Sequence, residues 1–139
     1  MKSKIANARQ VSSEGLRFRS ILEKKVAEEL ANQGISYEYE SEKVILMEGF
    51  VPKLSFYVDS IEHKEKVRAI TYTPDFKITL NGYTVYIEAK GWPNDRYPMK
   101  KKLFLKHLQS CSSCIFAEVH SLRGLKNTLI KINKLPKYE

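Results

Sequence analysis

The dipeptide Asn81-Gly82 lies between two runs of β-forming residues, and this turn constrains the fold more than any other feature of the chain. Both positions of a two-residue hairpin loop require a positive φ, which asparagine and glycine tolerate better than other residues. The loop length also fixes which residues face one another, so Phe76 is expected opposite Ile87. The sequence therefore predicts an antiparallel hairpin formed by residues 68–80 and 83–90.

The same register brings two acidic residues together beyond the last apolar pair. Asp75 is expected opposite Glu88, with Cβ atoms roughly 4.5–5.5 Å apart. Lys90 shares a face with Glu88, because side chains two positions apart point to the same side of a strand. Opposed carboxylates repel each other. The pattern therefore predicts either a bound Mg²⁺ or Mn²⁺ ion or an exposed hairpin in which Lys90 pairs with one acid.

Helices and strands are predicted on both sides of this hairpin. Apolar residues recur every four positions from about residue 16, in a helix that is expected to end near Gly34. Alternation over residues 35–40 predicts a strand, and residues 43–47 either continue it or begin another. The C-terminal part is predicted to contain a helix over residues 98–109, a buried strand over residues 114–119 and a last helix with Leu122, Leu125, Leu129 and Ile132 on its apolar face.

Glu23 lies on the predicted first helix and shares a face with Val26 and Leu30. If that apolar stripe packs on the sheet, the carboxylate of Glu23 is directed toward the hairpin acids. Alternatively, Glu23 is a surface residue that pairs with Arg19 one helical turn away. The pattern alone leaves both interpretations open.

The chain has 139 residues, of which 42% are hydrophobic, enough to bury one core. We expect a single domain over residues 1–139, with the polar residues 1–15 forming a flexible arm or a segment ordered by a partner chain. No run of about eighteen apolar residues and no signal-peptide pattern is present, which favours a soluble, cytoplasmic protein without a membrane segment. In a reducing cytoplasm Cys111 and Cys114 are expected to remain thiols.

The net charge of +8 is concentrated in the last third of the chain. Residues 1–90 carry 14 basic and 13 acidic residues, whereas residues 91–139 carry 10 and 3. This distribution favours a surface for a polyanion, with an ordinary solvated basic surface as the alternative. Four lysines on the helix after the hairpin are candidates for phosphate contacts: Lys100, Lys101, Lys102 and Lys106.

The cysteines form a CxxC motif, Cys111-Ser-Ser-Cys114, with His107 and His120 on either side of it. A zinc site would need all four side chains, and no second CxxC supports one. Cys114 is interpreted instead as a small apolar residue at the start of the predicted buried strand.

In the predicted hairpin, Thr73-Pro74-Asp75 is followed by Glu88-Ala89-Lys90. This arrangement resembles the signature of the PD-(D/E)XK nuclease superfamily. Residues 18–26 and 34–40 resemble the N-terminal core of the phage endonuclease I family of Holliday junction resolvases. Residues 72–76 and 88–91 continue this likeness, which covers roughly residues 16–92. Residues 68–76 and 101–104 are also similar to a group of small, uncharacterised phage proteins with the same nuclease core.

The resemblance implies an α/β (α+β) fold with a restriction-endonuclease-like αβββαβ core, whose mixed central sheet is flanked by helices. It also implies a Mg²⁺ site, with Mn²⁺ as a substitute, formed by Glu23, Asp75, Glu88 and the carbonyl group of Ala89. Lys90 would orient the attacking water and offset the developing negative charge. Arg19 or a nearby lysine would hold the scissile phosphate.

The function implied is that of a metal-dependent endodeoxyribonuclease that acts on branched DNA in the cytoplasm of a phage host. A junction-cutting enzyme needs two sites, so a homodimer is expected, with residues 1–17 exchanged between the subunits. Two alternatives remain. One is a less selective nuclease for single-stranded, damaged or linear duplex DNA, and the other is a non-catalytic DNA-binding protein with the same fold.

Overall fold

The computed structural model describes residues 11–13, 16–91 and 96–139. Ten strands and three helices occur within these ranges. In chain order they are β1 (Val11–Ser13), β2 (Leu16–Phe18), α1 (Ile21–Asn32), β3 (Tyr37–Tyr39), β4 (Val44–Met47), β5 (Tyr57–Val58), β6 (Ile61–Glu62), β7 (Ile70–Tyr72), β8 (Phe76–Leu80), β9 (Tyr83–Ala89), α2 (Tyr97–Leu108), β10 (Cys114–Val119) and α3 (Leu122–Asn133).

The central sheet has four strands in the order β10-β9-β8-β3. Strand β8 is antiparallel to both β3 and β9, whereas β10 is parallel to β9. A parallel neighbour requires a crossover connection, and α2 provides it between β9 and β10. The order α1, β3, β8, β9, α2, β10 confirms the predicted αβββαβ core with a mixed sheet flanked by helices.

The hairpin forms with the predicted register. Asn81 and Gly82 both have positive φ, 54° and 83°, and the ladder pairs Leu80 with Tyr83 and Phe76 with Ile87. The ladder ends at this last pair. Asp75 and Glu88 lie one position beyond it, so their direct opposition stays a prediction. The predicted strand over residues 68–80 is also divided, because Pro74, which has no N–H group to donate, lies between β7 and β8.

The two faces of the central sheet bury different side chains. Alternate residues of β8, β9 and β10, such as Phe76, Ile87 and Val119, pack in one core with Val26 and Leu30 of α1. The remaining alternate residues of β9 point to the opposite face of the sheet, toward α2, where Tyr86 packs with other aromatic side chains. This alternation follows from the two-residue repeat of a strand. It places Glu88 on the α2 face of the sheet.

Helix α1 begins at Ile21, later than the sequence predicted, because residues 16–18 form β2 instead. The Oγ atom of Ser20 accepts a hydrogen bond from the backbone N–H of Glu23 and caps the helix. Strand β2 pairs antiparallel with β1. Val11–Ser13 forms this short strand, and the rest of the predicted arm lies outside the described residues.

Residues 44–72 form an insertion between strands β3 and β8 of the central sheet. Strand β4 does not extend β3 but pairs with β7, and β5 pairs with β6 in a separate hairpin. Several large apolar side chains of this insertion are exposed, including Leu54 at 72% and Ile61 at 65%.

The C-terminal elements agree with the prediction to within about a residue. Helix α2 begins one residue before Pro98, and β10 and α3 occupy the expected positions. Cys111 and Cys114 form a disulfide, so the expectation of two thiols is wrong. Their Cα atoms are 5.5 Å apart in the turn between α2 and β10, within the range that a disulfide spans. None of the described helices is long and apolar enough to cross a membrane.

Candidate metal and phosphodiester site

Three carboxylates lie close together just before the first residue of β8, where the chain enters the hairpin. Ligand oxygens of Glu23, Glu40 and Asp75 all lie within 4.8 Å of one another. Glu23 and Asp75 are buried, with 6% and 4% of their surface exposed. Buried carboxylates at this separation repel unless positive charge or hydrogen bonds compensate them. The three oxygens form a donor set of the kind that holds a hard divalent cation.

Glu23 is held by two neighbours on different elements. Ser20 donates a hydrogen bond from Oγ to Oε2 of Glu23 at 3.0 Å, and the hydroxyl group of Tyr39 donates to Oε1 at 2.5 Å. Burial, followed by the interaction with Glu23, raises the pKa of Tyr39 far above its usual value. The hydroxyl group of Tyr39 therefore remains a proton donor to Glu23. Of the two interpretations left open for Glu23, the structure shows the one in which its carboxylate lies close to Asp75.

Asp75 is fixed by the neighbouring strands. Its Oδ2 atom accepts a hydrogen bond of 2.9 Å from the backbone N–H of Ala89, and its carbonyl oxygen accepts one of 2.9 Å from the N–H of Glu40. The Ala89 contact ties Asp75 to the end of β9, next to Glu88 in the chain. Ala89 thus contacts Asp75 through its N–H group.

Glu40 is the member of the cluster that the sequence reasoning missed. It follows β3 with a positive φ of 50°, so the alternation of the strand does not predict its direction. Arg19 lies 3.2 Å from its carboxylate through Nε, and this ion pair joins the segment before α1 to the end of β3. The alternative that Arg19 pairs with Glu23 is therefore not what the structure shows.

Glu88 lies outside the three-carboxylate cluster of the described residues, on the α2 face of the sheet. The hydroxyl group of Tyr72 donates a hydrogen bond to it, and Lys90 Nζ lies 3.7 Å from Oε2. Burial, followed by the charge of Glu88, raises the pKa of Tyr72 far above its usual value. Lys90 therefore pairs with Glu88, as the shared face predicted.

Lys90 also contacts an aromatic ring from α2. Its Nζ atom lies 4.3 Å from the centroid of the Tyr97 ring, within the range of a cation–π interaction. Tyr97 is buried at 7% exposure, and its hydroxyl group donates to Glu118 at 2.6 Å. The sequence reasoning assigned no role to Tyr97 or Glu118, because their approach depends on the crossover of α2 and not on any local spacing.

The lysines of α2 are not equivalent. Lys101 Nζ lies 3.0 Å from Glu118, whereas Lys102 and Lys106 are exposed and Lys100 is half-buried. Arg19 is also half-buried beside Glu40. Of the five residues predicted to contact DNA, Lys102 and Lys106 therefore present the most accessible charges.

The side chains considered for zinc have other partners. Both sulfur atoms belong to the disulfide, His107 stacks on Phe104, and His120 Nε2 lies 2.8 Å from Glu118. A zinc site that needs two thiolates is therefore absent from this arrangement.

A family model described as "Protein of unknown function (DUF1064)" matches residues 2–134 of the chain. The chain belongs to the DUF1064 family. This DUF1064 protein is also 36% identical over 90 residues to Endonuclease I of Escherichia phage T7. The similarity covers 64% of the DUF1064 chain and 46% of the relative, so the chain spans less than half the length of that protein.

Proposed function

We propose that this DUF1064 protein is a metal-dependent endodeoxyribonuclease that hydrolyses phosphodiester bonds of branched DNA. The observation that carries the proposal is the cluster of Glu23, Glu40 and Asp75 carboxylates, within 4.8 Å of one another, at the start of the Asp75-to-Lys90 hairpin. The similarity to an endonuclease supports the same assignment.

The donor set fits Mg²⁺, with Mn²⁺ as a substitute. Both are hard ions that bind carboxylate oxygens and retain several waters. Asp75 would be the central ligand, with Glu23 and the carbonyl group of Ala89 beside it and Glu88 on the α2 face. Glu40 is close enough to add a further oxygen. The bound ion would lower the pKa of a coordinated water and neutralise charge on the phosphate.

The chain's own residues would orient the reaction. Lys90 is a half-buried cation beside Glu88, with 15% of its side chain exposed. We assign it to orient the attacking water and to offset negative charge that develops on the phosphate. Tyr39 and Ser20 keep Glu23 in one rotamer. Fixed groups of this kind need little reorganisation when the substrate binds.

The DNA backbone would lie along the basic face of α2. Lys102 and Lys106 are four residues apart and therefore neighbours on one face of the helix, so they can contact successive phosphates. Arg19, Lys100 and Lys101 would contribute positive potential closer to the carboxylates. Such contacts position DNA without reading its sequence.

A four-way junction must be cut at two symmetric positions, so we propose a homodimer in which residues 1–17 participate in the subunit contact. An isologous two-fold pair is the commonest way to present two identical sites. A monomeric mass in solution at micromolar concentration would contradict this part of the proposal.

A less selective DNA nuclease is the second candidate. The similarity to phage Endonuclease I covers only 46% of that protein, so parts of the relative that could select a junction lack a counterpart in the alignment. The insertion over residues 44–72 forms two further strand pairs outside the αβββαβ core. Both observations concern which DNA structure the protein prefers as a substrate more than the hydrolysis of the phosphodiester bond. A non-catalytic DNA-binding protein is the third possibility that the experiment distinguishes.

Incubation of a four-way junction, a linear duplex and a single strand with the protein and Mg²⁺ tests these candidates. We expect cleavage of the junction in preference to the other two, and loss of cleavage in the isosteric variant Glu88→Gln. Equal cleavage of all three would favour the less selective nuclease. Binding of DNA without cleavage of any of them would leave a binding protein and overturn the enzyme assignment.

A further inference from the structure

Glu118 lies beside the proposed site and takes part in a dense set of contacts. In the parallel register it is the partner of Glu88, and its side chain is on the α2 face. Its Oε1 atom accepts a hydrogen bond of 2.6 Å from Tyr97 and lies 3.0 Å from Lys101 Nζ. Its Oε2 atom lies 2.8 Å from His120 Nε2.

These contacts keep the carboxylate of Glu118 charged. Its partial burial alone would raise its pKa, but hydrogen bonds from Tyr97, Lys101 and His120 outweigh burial and lower the pKa. Both oxygens are already engaged by donors from the protein. Glu118 is therefore poorly suited to be one more metal ligand, although it is next to Glu88 in the sheet.

Tyr97 connects Glu118 to Lys90. The hydroxyl group of Tyr97 is held by Glu118, and the face of its ring contacts Lys90 Nζ, 4.3 Å from the centroid. Lys90 Nζ in turn lies 3.7 Å from Glu88. His120 adds a second link, because its Nδ1 atom lies 2.6 Å from the carbonyl oxygen of Lys90.

We propose that Glu118 is a positioning residue for Lys90, which it acts on by fixing the ring of Tyr97 under the lysine ammonium group. The inference rests on the proposed function, since it gives Glu118 a part in the same site. A lysine has four rotatable side-chain bonds, and the ring and Glu88 together select one position for its ammonium group. Misplacement of a reacting group by about 1 Å can lower a rate by about 100-fold.

The chain contains a matched control for this arrangement. Glu42 accepts a hydrogen bond from Tyr86 at 3.2 Å and another from Lys77, and Lys77 Nζ lies 5.9 Å from the Tyr86 ring. This is the same combination of glutamate, tyrosine and lysine. Neither Lys77 nor Glu42 belongs to the proposed catalytic or DNA-binding residues. Glu42→Ala therefore removes an equivalent interaction elsewhere on the same face, and Glu42→Gln removes its charge but keeps an acceptor for Tyr86.

The first measurement uses NMR of the metal-free protein with ¹³C-labelled lysine. A ring below Nζ shifts the ε-methylene protons of Lys90 upfield, and we expect this shift in the wild type. It should become smaller in Glu118→Ala and in Tyr97→Phe, which retains the ring but loses its hydroxyl anchor. Glu42→Ala should leave the Lys90 signal unchanged.

The second measurement is cleavage of the junction with Mg²⁺. We expect kcat to fall roughly 100-fold in Glu118→Ala and about 10-fold in Tyr97→Phe. KM for DNA should change less than about two-fold in Tyr97→Phe, because this variant leaves the ion pair between Glu118 and Lys101 in place. Glu118→Gln keeps an acceptor for Tyr97 and should recover about 10-fold of the loss. The Glu42 variants should retain the wild-type kcat.

Two results would overturn the inference. One is a Lys90 signal that does not respond to Glu118→Ala or Tyr97→Phe in folded protein. The other is a Lys90 signal that responds while kcat remains at the wild-type value. A wild-type protein that never cleaves DNA would instead overturn the proposed function, and the NMR response would still show whether Glu118 fixes the position of Lys90.

Discussion

At the scale of single residues, the candidate site depends on hydrogen bonds that fix each acid. Ser20 caps α1 and also donates a hydrogen bond to the carboxylate of Glu23. Tyr39 supplies the other donor to Glu23, and Tyr72 supplies one to Glu88. These hydrogen bonds compensate the burial of the Glu23 and Glu88 carboxylates, which can therefore still serve as metal ligands.

Replacement of Ser20 by alanine should lower both stability and activity. Loss of an N-cap costs about 1 kcal/mol of the free energy of unfolding, and the freed Glu23 should also lower the apparent affinity for Mg²⁺ by a few-fold. Ser121 caps α3 in the same way, through a 3.0 Å bond to the N–H of Gly124. Urea unfolding and Mg²⁺ titration of cleavage should show that Ser121→Ala has the stability loss alone. Equal Mg²⁺ affinities in the two variants would contradict the assignment of Glu23.

At the scale of elements, the sequence predicted those helices and strands whose formation depends on neighbouring residues. The hairpin register followed from Asn81-Gly82, and α2, β10 and α3 followed from their periodicity. The start of α1 was predicted too early, because the apolar residues of β2 continue the helical period although they pair with β1. A reading of Ser20 and Glu23 as a capping box would have found the correct start.

The hairpin turn also supports the C-terminal segment. The amide of Asn81 donates to the carbonyl oxygens of Ile132 and Leu135, and a Cβ atom at Gly82 would lie 2.1 Å from the carbonyl oxygen of Tyr138. The glycine is thus required twice, by its positive φ and by the close approach of another backbone.

Gly82→Ala should therefore destabilise the protein more than Gly34→Ala. Both glycines have positive φ, but a Cβ atom at Gly34 would meet nothing within 4 Å. Strain alone predicts a loss of about 1 kcal/mol at Gly34, and the added clash predicts about 2–3 kcal/mol at Gly82. Equal losses in urea unfolding would show that the Tyr138 segment does not pack on the turn.

At the scale of the whole molecule, contacts between distant segments decide what the sequence could not predict. Glu40 reaches Asp75 through the pairing of β3 with β8, and Tyr97 reaches Lys90 through the crossover of α2. Neither approach has a fixed spacing in the chain. The approach of Glu23 to Asp75 was one of two alternatives that the sequence offered, whereas Glu40 and the aromatic donors required the tertiary structure.

The uneven charge leads to a prediction about salt. If Lys102 and Lys106 contact phosphates, the double variant Lys102→Gln/Lys106→Gln should bind duplex DNA more weakly and with a shallower salt dependence. Each lost contact lowers the slope of log K against log salt by about 0.9. Lys131→Gln/Lys134→Gln removes the same charge from exposed positions on and just after α3. The same change of slope in both variants would indicate a general charge effect rather than contacts along α2.

We propose that the carboxylates around Asp75 form a metal-dependent phosphodiesterase site. The most direct measurement is the single-turnover rate of junction cleavage as a function of Mg²⁺ concentration, in the wild type and in Asp75→Asn. We predict a saturable dependence on Mg²⁺ and a loss of roughly 100-fold or more in the variant, which keeps the size of the side chain but removes its charge. Cleavage that needs no divalent ion, or that proceeds equally fast in Asp75→Asn, would contradict the claim.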